Sequence, residues 1–360
     1  MTGQSTSPPR AWMEIDLGAL VNNGRAIAAH AGRPLLPMIK ADAYGMGAVP
    51  VARALEQLQP WGFGVATVRE GAELRHAGIA RPILVVTPLL EPDLDLAAEF
   101  RLTPSLGTAG SIRRWSRTGL PWHLSIDTGM SRAGIEWWRV SEIVEVAAGY
   151  PPEGAFTHLH SAELPDESAR LQLARFREAV GRLHERPSLL HAENSAGVQR
   201  LGTSEFDLVR PGLFLYGVDV PELGPLRARH VLGLSATIVD TRVVPDGETI
   251  SYLQTYRAVG ERRIATLPLG YADGYPRAAS HHGWAIVNGR RVPVAGLVTM
   301  DMLMLDVTEV ACEVGDVALL IGDRSSGAPD VATLAWHAGL SAYELLVAQR
   351  NRLERVYLGM

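Results

Sequence analysis

Of the 34 lysine and arginine residues in this chain only one, Lys40, is a lysine. A buried amine can lose its proton and act as nucleophile or base, which a guanidinium does not readily do. Any amine chemistry must therefore pass through Lys40. It closes the apolar run 34–39, which has the look of a buried parallel strand. Ala41 to Gly47 then lead into a helical pattern over 48–55. In a barrel of parallel strands, chemistry sits at the strands' C-terminal ends, where this lysine falls. On the residue pattern alone, a lysine that merely snorkels at a rim is the commoner reading.

Other stretches carry chemistry-capable groups after short apolar runs. Residues 124–134 offer the Asp127 carboxylate and the Arg132 guanidinium around a glycine-bearing turn. Residues 156–162 hold His158 and His160, spaced to share one strand face; no cysteine or third ligand follows nearby, so a metal is not expected. Asn194 and Ser195 follow one run, and Arg210, Gly212 and Leu213 follow the next. Small residues, hydroxyls and exposed backbone amides in such turns suit a phosphate. Later in the chain come Tyr271 within Leu-Gly-Tyr-Ala-Asp-Gly-Tyr, Met300 and Asp301 after Gly-Leu-Val-Thr, and Tyr343 at the start of a short apolar pattern.

What must position these groups is legible as two grammars. From residue 34 eight short apolar runs (34–40, 62–67, 82–87, 102–106, 123–127, 155–160, 189–193 and 208–216) alternate with helical patterns such as 68–77 and 167–183. The expected class is α/β, a (β/α)8 TIM-like barrel, with a doubly wound sheet as the alternative that periodicity alone does not exclude. Near residue 231 the helices stop. Runs over 231–244, 263–268, 285–287, 291–294 and 304–307 predict strands, with Asn288-Gly289 as a hairpin turn. The expected organisation is a flexible tail over 1–10, the barrel over 11–230, and a mainly-β C-terminal domain over 231–360. The net charge of −5 argues against a nucleic-acid partner. No apolar run reaches membrane-span length, and the start of the chain lacks an apolar signal core, so a cytoplasmic enzyme without membrane partners is expected. Cys312, the single cysteine, excludes an intramolecular disulfide framework.

The run Ile39-Lys40-Ala41-Asp42-Ala43-Tyr44-Gly45-Met46-Gly47 resembles the cofactor-binding segment of the alanine racemase family, which is pyridoxal-phosphate-dependent. The later stretches named above resemble that family's other motifs in order, and the resemblance runs from about Trp12 to Tyr357. The resemblance implies that Lys40 carries pyridoxal 5'-phosphate as a Schiff base and that Tyr271 is a second catalytic base. It implies cofactor contacts from Tyr44, Arg132, His158, Asn194, Ser195, Arg210, Gly212, Leu213 and Tyr343, with Arg210 facing the pyridine nitrogen. Substrate contacts fall to Arg132, Met300 and Asp301. It further implies a homodimer with shared active sites, in which Tyr271 and Met300 complete the partner's barrel site, and a small amino acid, alanine, as substrate. Serine or larger amino acids, decarboxylase or aldolase chemistry, and a non-catalytic pyridoxal-phosphate carrier are the alternatives. The chain departs from the usual motifs at Met46, Ser125, Leu159 and Thr299. Ser125 stands where many members have a carbamylated lysine that orients the arginine, and a bound chloride is the expected substitute.

Overall fold

The computed structural model describes residues 9–349 and 352–359. Contacts divide the chain into two compact units, residues 20–228 and residues 1–19 with 229–360.

The first unit is built on parallel strands Phe63–Val65, Ile83–Val85, Thr103–Leu106, His123–Asp127, Gly154–Phe156 and Leu189–His191, each hydrogen-bonded to the next. The runs on either side do not form extended strands. They contribute isolated parallel bridges, Met38 to Gly64, His191 to Leu208, and Leu35 to Val209, which close the ring. The (β/α)8 barrel is thus present, with its first and eighth positions reduced to bridges. Leu213–Tyr216, expected to finish the last strand, is a turn of 3₁₀ helix. Nearly every strand residue is buried, which is why these segments read as continuous apolar runs rather than alternating ones. The helices between them include Val68–His76 and Ser168–Gly181, close to the expected bounds.

The second unit corrects the expected boundary at residue 11. The strand Ala11–Asp16 pairs antiparallel with Leu232–Thr237 and parallel with Glu354–Leu358, so it belongs to the six-stranded sheet of the C-terminal unit. Its hydrogen-bonding partners lie far away in sequence, and they decide its place. Residues 1–8 of the expected tail lie outside the described residues. Pro9 and Arg10 are not loose, because their carbonyls accept from the Thr237 hydroxyl and amide. The expected strand over 231–244 is two strands, Leu232–Thr237 and Asp240–Val244, in different sheets. Strands Arg262–Leu267, Trp284–Val287, Arg290–Pro293 and Leu303–Asp306 fall where expected. Asn288 and Gly289 have φ of 48° and 74°, the two positive values that a type I′ hairpin turn requires.

Candidate active site

The barrel places Lys40 at the end of its first position, and the chain then does something unusual. Ala41, Asp42, Ala43 and Tyr44 all have φ between 52° and 55°, a full left-handed turn made by non-glycine residues. Each such residue costs roughly 1–2 kcal/mol, so the surroundings must impose the conformation. Glu70 accepts the Ala41 amide at 2.8 Å, and Asp42 Oδ1 accepts the Ala48 amide at 2.7 Å. The Tyr44 ring stacks on Tyr216 at 4.5 Å between centroids, and the Tyr216 hydroxyl donates to the Met38 carbonyl at 2.8 Å. The turn thereby fixes where Lys40 leaves the barrel and where Tyr44 points.

A cavity of about 390 Å³ is lined by Lys40, Asp127, Arg132, Thr157 and His158, with Ser125 in its wall. Its charges are mostly positive. Burial first, then the guanidinium of Arg132, holds the Lys40 ammonium below its usual range; Glu70 opposes this and Arg210 adds to it. Burial, Arg210, Arg132 and Lys40 together push His158 down to about 3, so this imidazole is neutral at physiological pH. Asp127 Oδ2 accepts the Arg132 amide at 3.2 Å and its Oδ1 accepts that of Gly129 at 2.8 Å, which shapes the turn. The Arg132 guanidinium has no anionic partner among the described residues, and Ser125 supplies none.

Arg210 is 4% exposed. A buried cation is tolerated only when its donors are satisfied. It donates to the carbonyls of Thr157 and Ala192 at 2.7 and 3.0 Å, to His191 Nδ1 at 2.9 Å, and at 3.4 Å to His158 Nδ1. Its guanidinium also lies 5.3 Å from the Phe156 ring centroid. Burial lowers its pKa to about 10, which leaves it charged at neutral pH.

Ser195, Gly212 and Tyr44 converge at one point. The Ser195 hydroxyl accepts the amides of Gly212 and Phe214 at 2.9 and 3.2 Å. A Cβ added at Gly212 would lie 2.6 Å from the Tyr44 hydroxyl, so only glycine leaves this cradle open. Leu213 opens the following 3₁₀ turn. Two phenol or alcohol hydroxyls beside backbone amides are the donor set a phosphate ester requires, and the amine and buried guanidinium suit the aldehyde and pyridine nitrogen of pyridoxal phosphate. The residues present fit that cofactor. Asn194 caps the helix Ser195–Leu201, its side-chain oxygen accepting the Gly197 amide at 2.8 Å.

Tyr271, Met300, Asp301 and Tyr343 lie in the other unit. There the two loops bearing Tyr271 and Met300 are bonded face to face, the amides of Tyr271 and Ala272 donating to the carbonyls of Thr299 and Met300, each at 3.0 Å. The Thr299 hydroxyl closes its own loop by donating to the Met302 carbonyl at 2.8 Å. Buried Asp273 accepts the Gly270 amide at 2.9 Å and pairs with Arg10 and Arg352 at 3.5 and 3.2 Å; Arg352 also reaches Asp301 at 2.8 Å. Tyr271 is 41% exposed on a single chain and Met300 54%. Tyr343 stands at the start of the helix Ala342–Val347, whose N-cap Ser341 and Glu344 form a capping box.

Sequence reading missed Glu70, Thr157, Gln172 and the partners of His191. Glu70 had a signal, since Thr67-x-x-Glu70 is a capping box at the head of the helix Val68–His76. Gln172, which braces the His158 carbonyl and the His160 amide at 3.0 and 2.9 Å from a neighbouring helix, had none. Among the described residues no group of three His, Cys, Asp or Glu side chains is placed to hold a metal ion, and no helix is long and apolar enough to cross a membrane.

Comparison with known proteins agrees with this geometry. The family model described as the alanine racemase N-terminal domain matches residues 15–220, and that of the alanine racemase C-terminal domain matches residues 231–357. Alanine racemase of Symbiobacterium thermophilum is 38% identical, with 97% of each chain covered. That of Carboxydothermus hydrogenoformans is 36% identical over 96% of this chain and 99% of its own. The crystal structure of alanine racemase from the D-cycloserine producer Streptomyces lavendulae superposes with a TM-score of 0.92 at 34% identity, covering 98% of both chains. A Bartonella henselae alanine racemase with covalently bound pyridoxal phosphate gives a TM-score of 0.89 at 27% identity, covering 98% of this chain and 100% of its own. With both halves matched in order and the similarity running nearly end to end, this chain belongs to the alanine racemase family.

Proposed function

We propose that the chain interconverts L-alanine and D-alanine, using pyridoxal phosphate held by Lys40 and a second base, Tyr271, on the opposite face of the substrate. The observation that carries this reading is the lone lysine. It lies in a cavity with Arg132 and His158, and burial and neighbouring cations favour its neutral amine. Pyridoxal phosphate, bonded through its aldehyde to that amine, supplies an electron-withdrawing ring that makes the α-proton of a bound amino acid acidic.

The chain's own groups do the rest. Ser195, Gly212, Leu213 and Tyr44 would hold the phosphate, with Asn194 and Tyr343 as further proposed cofactor contacts. Arg210 would face the ring nitrogen and, staying protonated, would not hand its proton over, so the ring would withdraw electrons less strongly and simple proton exchange would be favoured over transamination. Arg132 orients the substrate carboxylate, helped by the Met300 backbone and Asp301. His158, neutral and packed against Arg210, holds the cofactor ring in place. Lys40 Nζ, free once the substrate amine has taken its place on the cofactor aldehyde, would take or return the proton on one face and the Tyr271 hydroxyl on the other.

The reading includes a homodimer in which Tyr271, Met300 and Asp301 of one chain complete the partner's barrel site. The exposure of Tyr271, Met300, Met302, Tyr252 and Leu253 on a single chain supports this, since apolar groups clustered on flanking loops are what an interface covers. A cytoplasmic location completes it. The direct test adds L-alanine, L-serine or a larger L-amino acid to purified holoenzyme and follows the D-enantiomer by chiral chromatography. D-Alanine forming fastest supports the assignment; faster D-serine or decarboxylation would replace the substrate, and no turnover with cofactor bound would leave a carrier.

A further inference from the structure

The barrel interior holds a polar chain that none of the chemistry above uses. Arg210 donates to His191 Nδ1 at 2.9 Å, and His191 Nε2 lies 2.9 Å from His123 Nδ1. His123 Nε2 is buried with no hydrogen-bond partner and faces the Glu153 carboxylate at 3.8 Å. The sense of the chain is forced from both ends. A guanidinium only donates, so His191 Nδ1 must accept and its proton must sit on Nε2. That proton faces His123 Nδ1, which must then accept in turn, placing the His123 proton on Nε2 toward a carboxylate that only accepts.

Two further observations describe how the rings are seated. A Cβ at Gly154, the residue after Glu153, would lie 2.6–2.7 Å from three atoms of the His123 ring, so glycine seats the imidazole. The His191 ring stacks on Phe156 at 5.1 Å, the same ring that Arg210 overlies. Burial holds both imidazoles below their usual pKa, and neither competes with Arg210 for charge. Glu153 and His123 sit at the N-terminal ends of their strands, whereas Lys40 and Arg132 follow the C-terminal ends. The chain therefore spans the barrel.

We infer that Glu153, His123 and His191 form a polarised relay that fixes the orientation of the Arg210 guanidinium, with Glu153 as a positioning residue acting on the site from the far end of the barrel. Its consequence for turnover rests on the racemase reading; the proton arrangement does not. Neutron diffraction from deuterium-exchanged crystals tests the arrangement without any variant. Deuterium on Nε2 of both His123 and His191, and on neither Nδ1, is expected; deuterium on either Nδ1 overturns the relay. Kinetics test the consequence. Glu153→Leu removes the acceptor and should lower kcat by about tenfold, the lower end for partners that orient a site's ligands, with KM changed by less than about twofold. Glu153→Gln keeps an acceptor oxygen and should recover most of that loss. Equal impairment of both variants, or no change in either, overturns the positioning role. A wild-type protein without racemase activity would sink the functional reading while leaving the neutron result to stand or fall by itself.

Discussion

Glu70→Ala should loosen the turn that carries Lys40 without touching the lysine. The Glu70 carboxylate accepts three backbone amides: Ala41 at 2.8 Å on one oxygen, and Ala66 and Thr67 at 2.7 and 3.0 Å on the other. It joins the head of the left-handed turn to the end of the neighbouring strand. Hydrogen bonds to an ionised acceptor contribute about 1.5–3 kcal/mol each. The Ala66 bond is partly buried and is counted in full; water can replace much of the other two. The expected cost is about 3 kcal/mol, a factor on the order of 10² in the local opening equilibrium. Amide hydrogen exchange at Ala41, Ala66 and Thr67 reads this directly. A second readout uses the lone lysine. Reductive methylation with ¹³C-formaldehyde in the absence of cofactor labels Lys40 and the α-amine only. Because the Glu70 anion raises the Lys40 pKa, its removal should move the Lys40 titration further down. Exchange rates within about threefold of wild type, or a Lys40 titration that stays put or rises, would refute the role given to Glu70.

Further expectations follow from the same geometry. His158 is held at about 3 against an ordinary 6.5, so the unfolded state binds more protons between those values and the barrel should lose stability as pH falls from about 6.5 toward 3. Urea midpoints at pH 7 and pH 5 measure this, and His158→Gln should make the dependence shallower, with the remainder owed to His123 and His191, which burial also holds below their usual range. A Cβ at Gly270 would meet the Thr299 and Met300 carbonyls at 2.3 and 2.4 Å, so Gly270→Ala should displace Tyr271 and lower kcat/KM by about 10² while circular dichroism stays native. Arg10 and Arg352 share buried Asp273; the double change to Gln should lower the thermal midpoint by more than the sum of the single changes, because only the pair leaves that carboxylate alone.

The barrel was legible because buried parallel strands write themselves as unbroken apolar runs. Asn288-Gly289 was legible because few residue pairs tolerate two positive φ values. The strand Ala11–Asp16 was placed in the wrong unit because its register partners, residues 232–236 and 354–358, are more than 200 positions away. The left-handed turn was invisible for another reason. Ala-Asp-Ala-Tyr contains no glycine, and its own preference is right-handed; Glu70, Asp42 and Tyr216 impose the result from outside. Most of the candidate site residues could be named, since they follow strand ends in recognisable motifs. The groups that position them could not. His123 lies 68 residues from His191, and Gln172 acts from a helix face with an ordinary amphipathic pattern. Asn194, named from its motif as a cofactor contact, also caps the helix that begins at Ser195, a role its sequence neighbours did not announce.

The central claim is that Lys40 and Tyr271 serve opposite faces of the substrate, and α-proton exchange in deuterated water with the Tyr271→Phe enzyme tests it most directly. The variant removes one hydroxyl, so cofactor binding should survive. Racemisation should fall by about 10²–10⁴ in both directions, because each direction needs both groups. Exchange of the D-alanine α-proton should persist, since Lys40 still removes and returns it, while exchange from L-alanine should collapse. Equal residual exchange from both enantiomers would contradict the two-base account and assign both faces to one base or to water.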